Sequence, residues 1–230
     1  MNSHLWLITA ETNLHVGNEN SSNYGIIDKA VQRDPLTNLP CINSSSLKGA
    51  INEYFTKFKK IDSGTRIDIF GSDKCGENKK QQKGNVIFFD AHILFLPVQD
   101  DNKLYHYETS RQVVNLFLQR NKMLGIEWDN FPNDPYEYED FFHLDQTVMS
   151  NDSFVTACDN ENLPIIARNC LENGLSTNLW YEQVLPSKTV LYFFTSGDVG
   201  GFTEILDGSL VQIGANATIG YGYCRITKIV

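Results

Sequence analysis

Four stretches of this 230-residue chain carry residue types that could do chemistry. The first, Gly25-Ile26-Ile27-Asp28, ends on a carboxylate directly after two apolar residues, with Gln32-Arg33-Asp34 close behind. A loop aspartate beside basic residues is a general base, a Mg²⁺ ligand or a turn former, and Asp favours turns in any case. Asp34-Pro35 followed by Thr37-Asn38 is plain turn chemistry. The second stretch is Ser44-Ser45-Ser46-Leu47-Lys48-Gly49-Ala50. Hydroxyls, a lysine one turn in and the N–H groups of a starting helix make a phosphate site; an ordinary serine cap with a solvated lysine uses the same residues. The third, Gly214 to Gly222, holds three glycines among small residues. Such a backbone can approach a ligand closely, or simply turn tightly between two strands. It is neither a Walker loop nor a dinucleotide fingerprint. The fourth is Leu179-Trp180-Tyr181-Glu182-Gln183. Its rings could stack on bases and Glu182 could assist proton transfer, although an aromatic pair in a strand is more often core. His15 stands near the first loop, whereas His4, His92, His106 and His143 show no ligand spacing.

The elements that must position these residues follow from periodicity. Residues 4–16 read as a first strand, and Leu39 to Ile42 as a short extended piece. Leu47, Ala50, Ile51, Tyr54, Phe55 and Phe58 recur on one helical face, so the spacing predicts a helix over 45–59. Residues 71–85 read as a loop, Val86 to Val98 as one long central strand and 110–124 as a helix. The acidic, aromatic stretch 127–146 has no clean period and reads as a peripheral insertion. Strands at 188–195 and 223–229 close the chain. This order suits an α+β fold, a ferredoxin-like sheet with large insertions.

Formal charge is −9, but it is unevenly spread: residues 1–98 sum to +1, residues 99–165 to −9 and residues 166–230 to −1. Segment 29–60 alone carries +4, the local basic patch that phosphate recognition needs. The acidic mean therefore excludes little. No apolar run reaches membrane-span length, and Leu5-Trp6-Leu7-Ile8 lacks the basic leader of a signal peptide. Five scattered cysteines without a Cys-x-x-Cys pair fit reduced thiols in the cytoplasm and no zinc site. Hydrolases with a Gly-x-Ser-x-Gly elbow or a His-Glu-x-x-His pair are excluded.

Order and spacing of these pieces resemble one family. Leu14-His15-Val16-Gly17, Gly25 to Asp28, Gln32 to Pro40 and Ser44 to Ala50 are similar to the start of RAMP-superfamily CRISPR proteins, specifically the backbone subunits of type III effector complexes. Leu179-Trp180-Tyr181-Glu182 with Leu185-Pro186, and Leu210 to Gly220, resemble the type III-B (Cmr) branch more than its type III-A (Csm) counterpart.

The resemblance implies one RRM-like, ferredoxin-like palm spanning residues 1–230 with an inserted thumb. It implies partners as well: a CRISPR RNA along which further copies stack, a target RNA, and other Cmr-type subunits, with no membrane. The target would be cut at displaced nucleotides with a divalent metal, Mg²⁺. Asp28 matches the residue needed for cutting and could hold the metal, His15 a histidine near the scissile site, and Glu182 an acid of the Trp-Tyr-Glu-Glu motif. Arg33, Ser44, Ser45, Ser46, Lys48, Trp180, Gly214 and Asn216 would contact RNA. Departures exist too: the second acid is Gln183, the Gly-Lys-Gly of the family is Gly220-Tyr221-Gly222, and the region 125–175 is trimmed. With less charge, the glycine loop is expected to be structural, and the acidic insertion to face protein or solvent. Three alternatives stand beside this reading: a non-cleaving RNA scaffold, a Csm-type subunit, and a small-molecule enzyme with a phosphate pocket at Ser44–Lys48.

Overall fold

The computed structural model describes residues 2–17, 27–72, 82–127, 131–132, 137–142, 144, 147–149 and 151–230. Gly25, Ile26, residues 73–81 of the expected loop and parts of the acidic stretch lie outside the described residues.

The architecture is mixed α/β around a curled, largely antiparallel sheet. Strand β1 (Ser3–Ala10) is buried on both faces and runs between β9 (Val190–Ser196) and β11 (Tyr223–Lys228). The sheet continues from β9 to β4 (Ala91–Val98), β5 (His106–Thr109) and β6 (Thr147–Met149), and from β11 to the edge strand β10 (Ser209–Gln212). Only β5 and β6 pair in parallel among the described strands. Short strands β2 (Cys41–Ile42) and β3 (Ile87–Phe88) add to β4 and β9. Helix α1 (Ser44–Tyr54) follows β2, α2 (Ser63–Phe70) follows it, and α3 (Arg111–Met123) starts on a Ser110 cap. The smaller helices are α4 (Tyr138–Phe142), α5 (Asn151–Ala157) and α6 (Phe202–Leu206). A separate hairpin, β7 (Ile165–Glu172) with β8 (Leu175–Gln183), turns at Asn173-Gly174, both at positive φ as a tight hairpin turn requires.

Aromatic side chains fill the core. Trp6 stacks on Phe193 and Phe55 on Phe202, and the Trp6 indole donates to Thr195 Oγ1 at 2.9 Å. Towards β5, Phe95, Phe117, Phe142 and Tyr192 meet edge to face.

Four expectations need correction. The first strand stops at Ala10, because 11–17 leave β1 and bridge to other segments. Val86–Val98 is two strands, since Phe89 and Asp90 interrupt the ladder on β9; the break lets Asp90 accept the Ser44 N–H at 2.6 Å. The helix passes into a π-turn, Phe55–Lys59, that ends on Lys60 in the left-handed region. The extra residue in that turn keeps Phe55 buried and swings Phe58 out to 71% exposure. The acidic stretch is not all periphery: Tyr138 and Phe142 are buried against Phe95. Its acidic residues, interspersed among the aromatics, hid a helical face. Among the described residues no helix is long and apolar enough to cross a membrane, and Cys41, Cys158, Cys170 and Cys224 are free thiols.

Candidate active site

The last three residues of β8 collect most of the predicted site. Segment 27–32 runs beside them: Asp28 N and Lys29 N donate to Tyr181 O, and Gln183 N donates to Lys29 O at 2.9 Å. The Asp28 carboxylate is exposed, yet it is tied back to the strand, accepting the Tyr181 N–H on Oδ2 at 2.7 Å. From the other side Leu14 bridges to Leu185, and buried His15 donates from Nδ1 to Gln183 O at 2.7 Å. A carbonyl can only accept, so this bond puts the ring proton on Nδ1.

Glu182 is the hub. It is 1% exposed and receives four donors, two on each oxygen. Lys29 Nζ and Trp180 Nε1 reach Oε1, each at 3.1 Å. Arg168 Nε and Asn216 Nδ2 reach Oε2, each at 2.8 Å. Burial would raise the pKa of this carboxyl, but the hydrogen bonds from Arg168, Trp180 and Lys29 outweigh it and hold the group at about 2. Lys29 also lies over the Trp180 ring, and Arg168 over Tyr221.

The glycine loop closes this cluster. Asn216 adopts a left-handed conformation to reach Glu182, and Ala215 N donates to His15 O at 2.9 Å. Gly214 has φ +82°, and a Cβ there would press into the His15 carbonyl oxygen. Gly214→Ala should therefore cost about 1–3 kcal/mol in strain, lower Tm by several degrees and displace His15. A thermal melt alongside an RNA-cutting assay checks both effects.

Asp28, His15, Glu182, Trp180, Gly214 and Asn216 thus come together. The other residues expected at RNA divide. Ser45 and Ser46 share with Val16, Gly17 and Gly214 a cleft of about 330 Å³. Ser44 and Lys48 face another, of about 630 Å³, with Lys83 across it. Arg33 stands apart and is already engaged, donating to Asn160 Oδ1 at 2.9 Å and Asn38 O at 2.7 Å. Asp34 is the turn former, accepting the N–H groups of Leu36 and Thr37. Lys29 entered the sequence reading only as part of the basic segment 29–60, and Arg168 and Asn160 were absent from it. The Asn173-Gly174 turn signal reveals the hairpin, but a regular two-residue turn would set Arg168 opposite Leu179; the register shift between Cys170 and Leu171 is what sets it opposite Trp180 and diagonal to Glu182.

Among the described residues no three His, Cys, Asp or Glu side chains gather around a common point. One exposed carboxylate with one oxygen engaged does not amount to a metal site held by the protein alone.

The chain belongs to the RAMP superfamily, whose family model matches residues 7–225. Within it, the chain is similar to the CRISPR system Cmr endoribonuclease Cmr4 of Pyrococcus furiosus, with 25% identity covering 88% of both chains. Likeness to the CRISPR endoribonuclease Csm3 of Streptococcus thermophilus is 36% identity, but over 37% of this chain and 42% of that one. Among solved structures, a chain of the type III-B Cmr-beta complex bound to cognate target RNA superposes with a TM-score of 0.73 at 21% identity, covering 99% of this chain and 97% of that one. Oligomeric Cmr4 from Pyrococcus furiosus gives a TM-score of 0.71 at 20% identity, covering 100% and 99%. The whole-chain likeness is thus to the type III-B branch.

Proposed function

We propose that this chain is the repeating backbone subunit of a type III-B CRISPR effector complex and cuts guide-paired target RNA at Asp28. The observation that carries the reading is the placement of that carboxylate: exposed to a ligand, yet held on Tyr181 N where four segments converge. The antiparallel order β11-β1-β9-β4, with α1 between β1 and β4 and α6 between β9 and β11, supports a ferredoxin-like palm. The β7–β8 hairpin is the proposed thumb. Its Leu171, Leu175 and Leu179 are 63%, 72% and 54% exposed, apolar tips able to wedge between bases.

In the proposed reaction the thumb unstacks one nucleotide, so that its 2′-OH swings in line with the adjacent phosphate. Alignment supplies much of the rate. Asp28 accepts the 2′-OH proton as the O2′–P bond forms and the P–O5′ bond breaks, leaving a cyclic phosphate. The departing 5′ oxygen takes up a proton from water, and His15, whose Nδ1 proton is held on the Gln183 carbonyl, can offer only its Nε2 lone pair to the RNA. Glu182, ionised and fully hydrogen-bonded, positions Lys29, Trp180 and the glycine loop. Guide pairing supplies sequence choice, so the protein needs only backbone contacts, proposed for Ser45, Ser46 and the backbone at Gly214 in one cleft and Ser44 and Lys48 in the other. Were Mg²⁺ bound, Asp28 would be the residue to hold it, and the ion would supply positive charge to offset the RNA phosphates. Partners are the CRISPR RNA, further copies of this chain and other Cmr-type subunits, in the cytoplasm.

The test is an assembled complex with a defined guide and end-labelled complementary RNA. A ladder of evenly spaced products in Mg²⁺, lost in EDTA and restored by Mg²⁺, is expected. Binding without a ladder would favour the scaffold reading, and no RNA binding would favour the pocket at Lys48.

A further inference from the structure

Gln183 stands where the resemblance leads one to expect a second glutamate, and its surroundings explain the amide. The residue is fully buried and makes hydrogen bonds through every polar group it owns. Its backbone O accepts from His15 Nδ1 at 2.7 Å, and its backbone N donates to Lys29 O at 2.9 Å. Its side-chain Oε1 accepts the Val31 N–H at 3.1 Å, while Nε2 donates to Asn160 O at 2.9 Å. The orientation of the amide is therefore dictated: a backbone N–H faces one end and a backbone carbonyl the other. A carboxylate can only accept, so a glutamate here would set an oxygen against the Asn160 carbonyl with no proton between them.

We infer that Gln183 is a positioning residue for the proposed cutting reaction: its side chain ties segment 28–31 to the loop at Asn160, while its main chain fixes the tautomer of His15. With Nδ1 carrying the proton, the neutral ring presents its lone pair at Nε2. That nitrogen points to Gly17 at the edge of the serine cleft; a Cβ on Gly17 would stand 3.1 Å from it. One residue thereby sets the register between Asp28, through Lys29 and Val31, and His15. The inference rests on the nuclease reading for its function, but the tautomer and the tether do not depend on it.

The charged and titratable groups around the position are Glu182, its neighbour on the same strand, Lys29 on the segment alongside, Arg33 beyond Asn160, and His15 itself. None of them donates to the side chain of residue 183. That isolation makes Gln183→Glu informative. A protonated carboxylic acid has one donor and one acceptor, like the amide, so it can replace both side-chain bonds; the carboxylate cannot.

The experiment uses the full chain in the assembled complex. At pH 8, Gln183→Glu should slow single-turnover cutting on the order of 100-fold, the scale of a small misplacement of reacting groups, with target RNA binding unchanged. As pH falls the deficit should shrink, displacing the rate profile of this variant to lower pH. Gln183→Met, which has no donor, should stay slow at every pH. On the wild-type chain alone, long-range ¹⁵N–¹H NMR should show His15 protonated at Nδ1, a measurement that needs no variant to fold. A Gln183→Glu profile superimposable on wild type, or a His15 proton on Nε2, overturns the inference. A wild-type complex that cuts nothing, with His15 still in the Nδ1–H form and altered in Gln183→Glu, sinks the nuclease reading and leaves the positioning intact.

Discussion

Asp28→Ala should abolish the ladder of cut products, lowering the rate by about 10²–10⁴-fold, the usual contribution of a positioned general base, while the complex still assembles and binds its target. The folded chain has little to lose at this residue. The side chain is exposed and accepts one backbone N–H, from Tyr181, and the main-chain bond from Asp28 N to Tyr181 O survives the substitution. A stability change of about 1 kcal/mol is the expected scale for that single bond. Asp28→Asn sharpens the test. An amide oxygen still accepts the Tyr181 N–H, so the loop keeps its place, but the group no longer takes a proton. A rate for Asp28→Asn close to that of Asp28→Ala assigns the loss to proton acceptance or ion contact. A rate close to wild type would make Asp28 a loop anchor and leave the chain as an RNA scaffold.

Much of this site was legible because its parts are local. A carboxylate after two apolar residues, a serine run before a helical period and a Trp-Tyr-Glu segment are visible without knowing what they touch. What connects them is not local. Nothing in the serine run announces that the Ser44 N–H is taken by Asp90, forty-six positions away, through a break in a strand that reads as continuous. Phe58 fits the apolar face of an ideal helix, and only the π-turn, set by the packing of Phe55 on Phe70 and Phe202, moves it outward. Gln183 looked like a lost acid, since its partners Val31 and Asn160 lie 152 and 23 positions away.

The buried carboxylate offers the larger stability effect. Each oxygen of Glu182 faces two donors, so its removal strands four groups at once. Glu182→Ala should cost about 3–5 kcal/mol, the range for breaking a buried ion pair from one side. Most of that comes from Arg168, whose side chain is 18% exposed; Lys29, at 53%, recovers its hydration. Glu182→Gln should fare little better, because whichever way the amide turns, its NH₂ meets two donors. Acid should act on wild type in the same way. The folded-state pKa of about 2 lies below the usual value of 4.5, so the ionised group contributes its full stabilisation above pH 4.5 and loses it as pH falls towards 2. Urea unfolding of wild type and Glu182→Ala should therefore differ most at neutral pH, and the gap should narrow progressively below pH 4.5. A gap that stays constant down to pH 2 would mean that the charge of Glu182 does not hold this cluster together. A wild-type cutting profile that titrated with Glu182 near neutrality would contradict its positioning role directly, because a carboxylate held by four donors has no proton to exchange there.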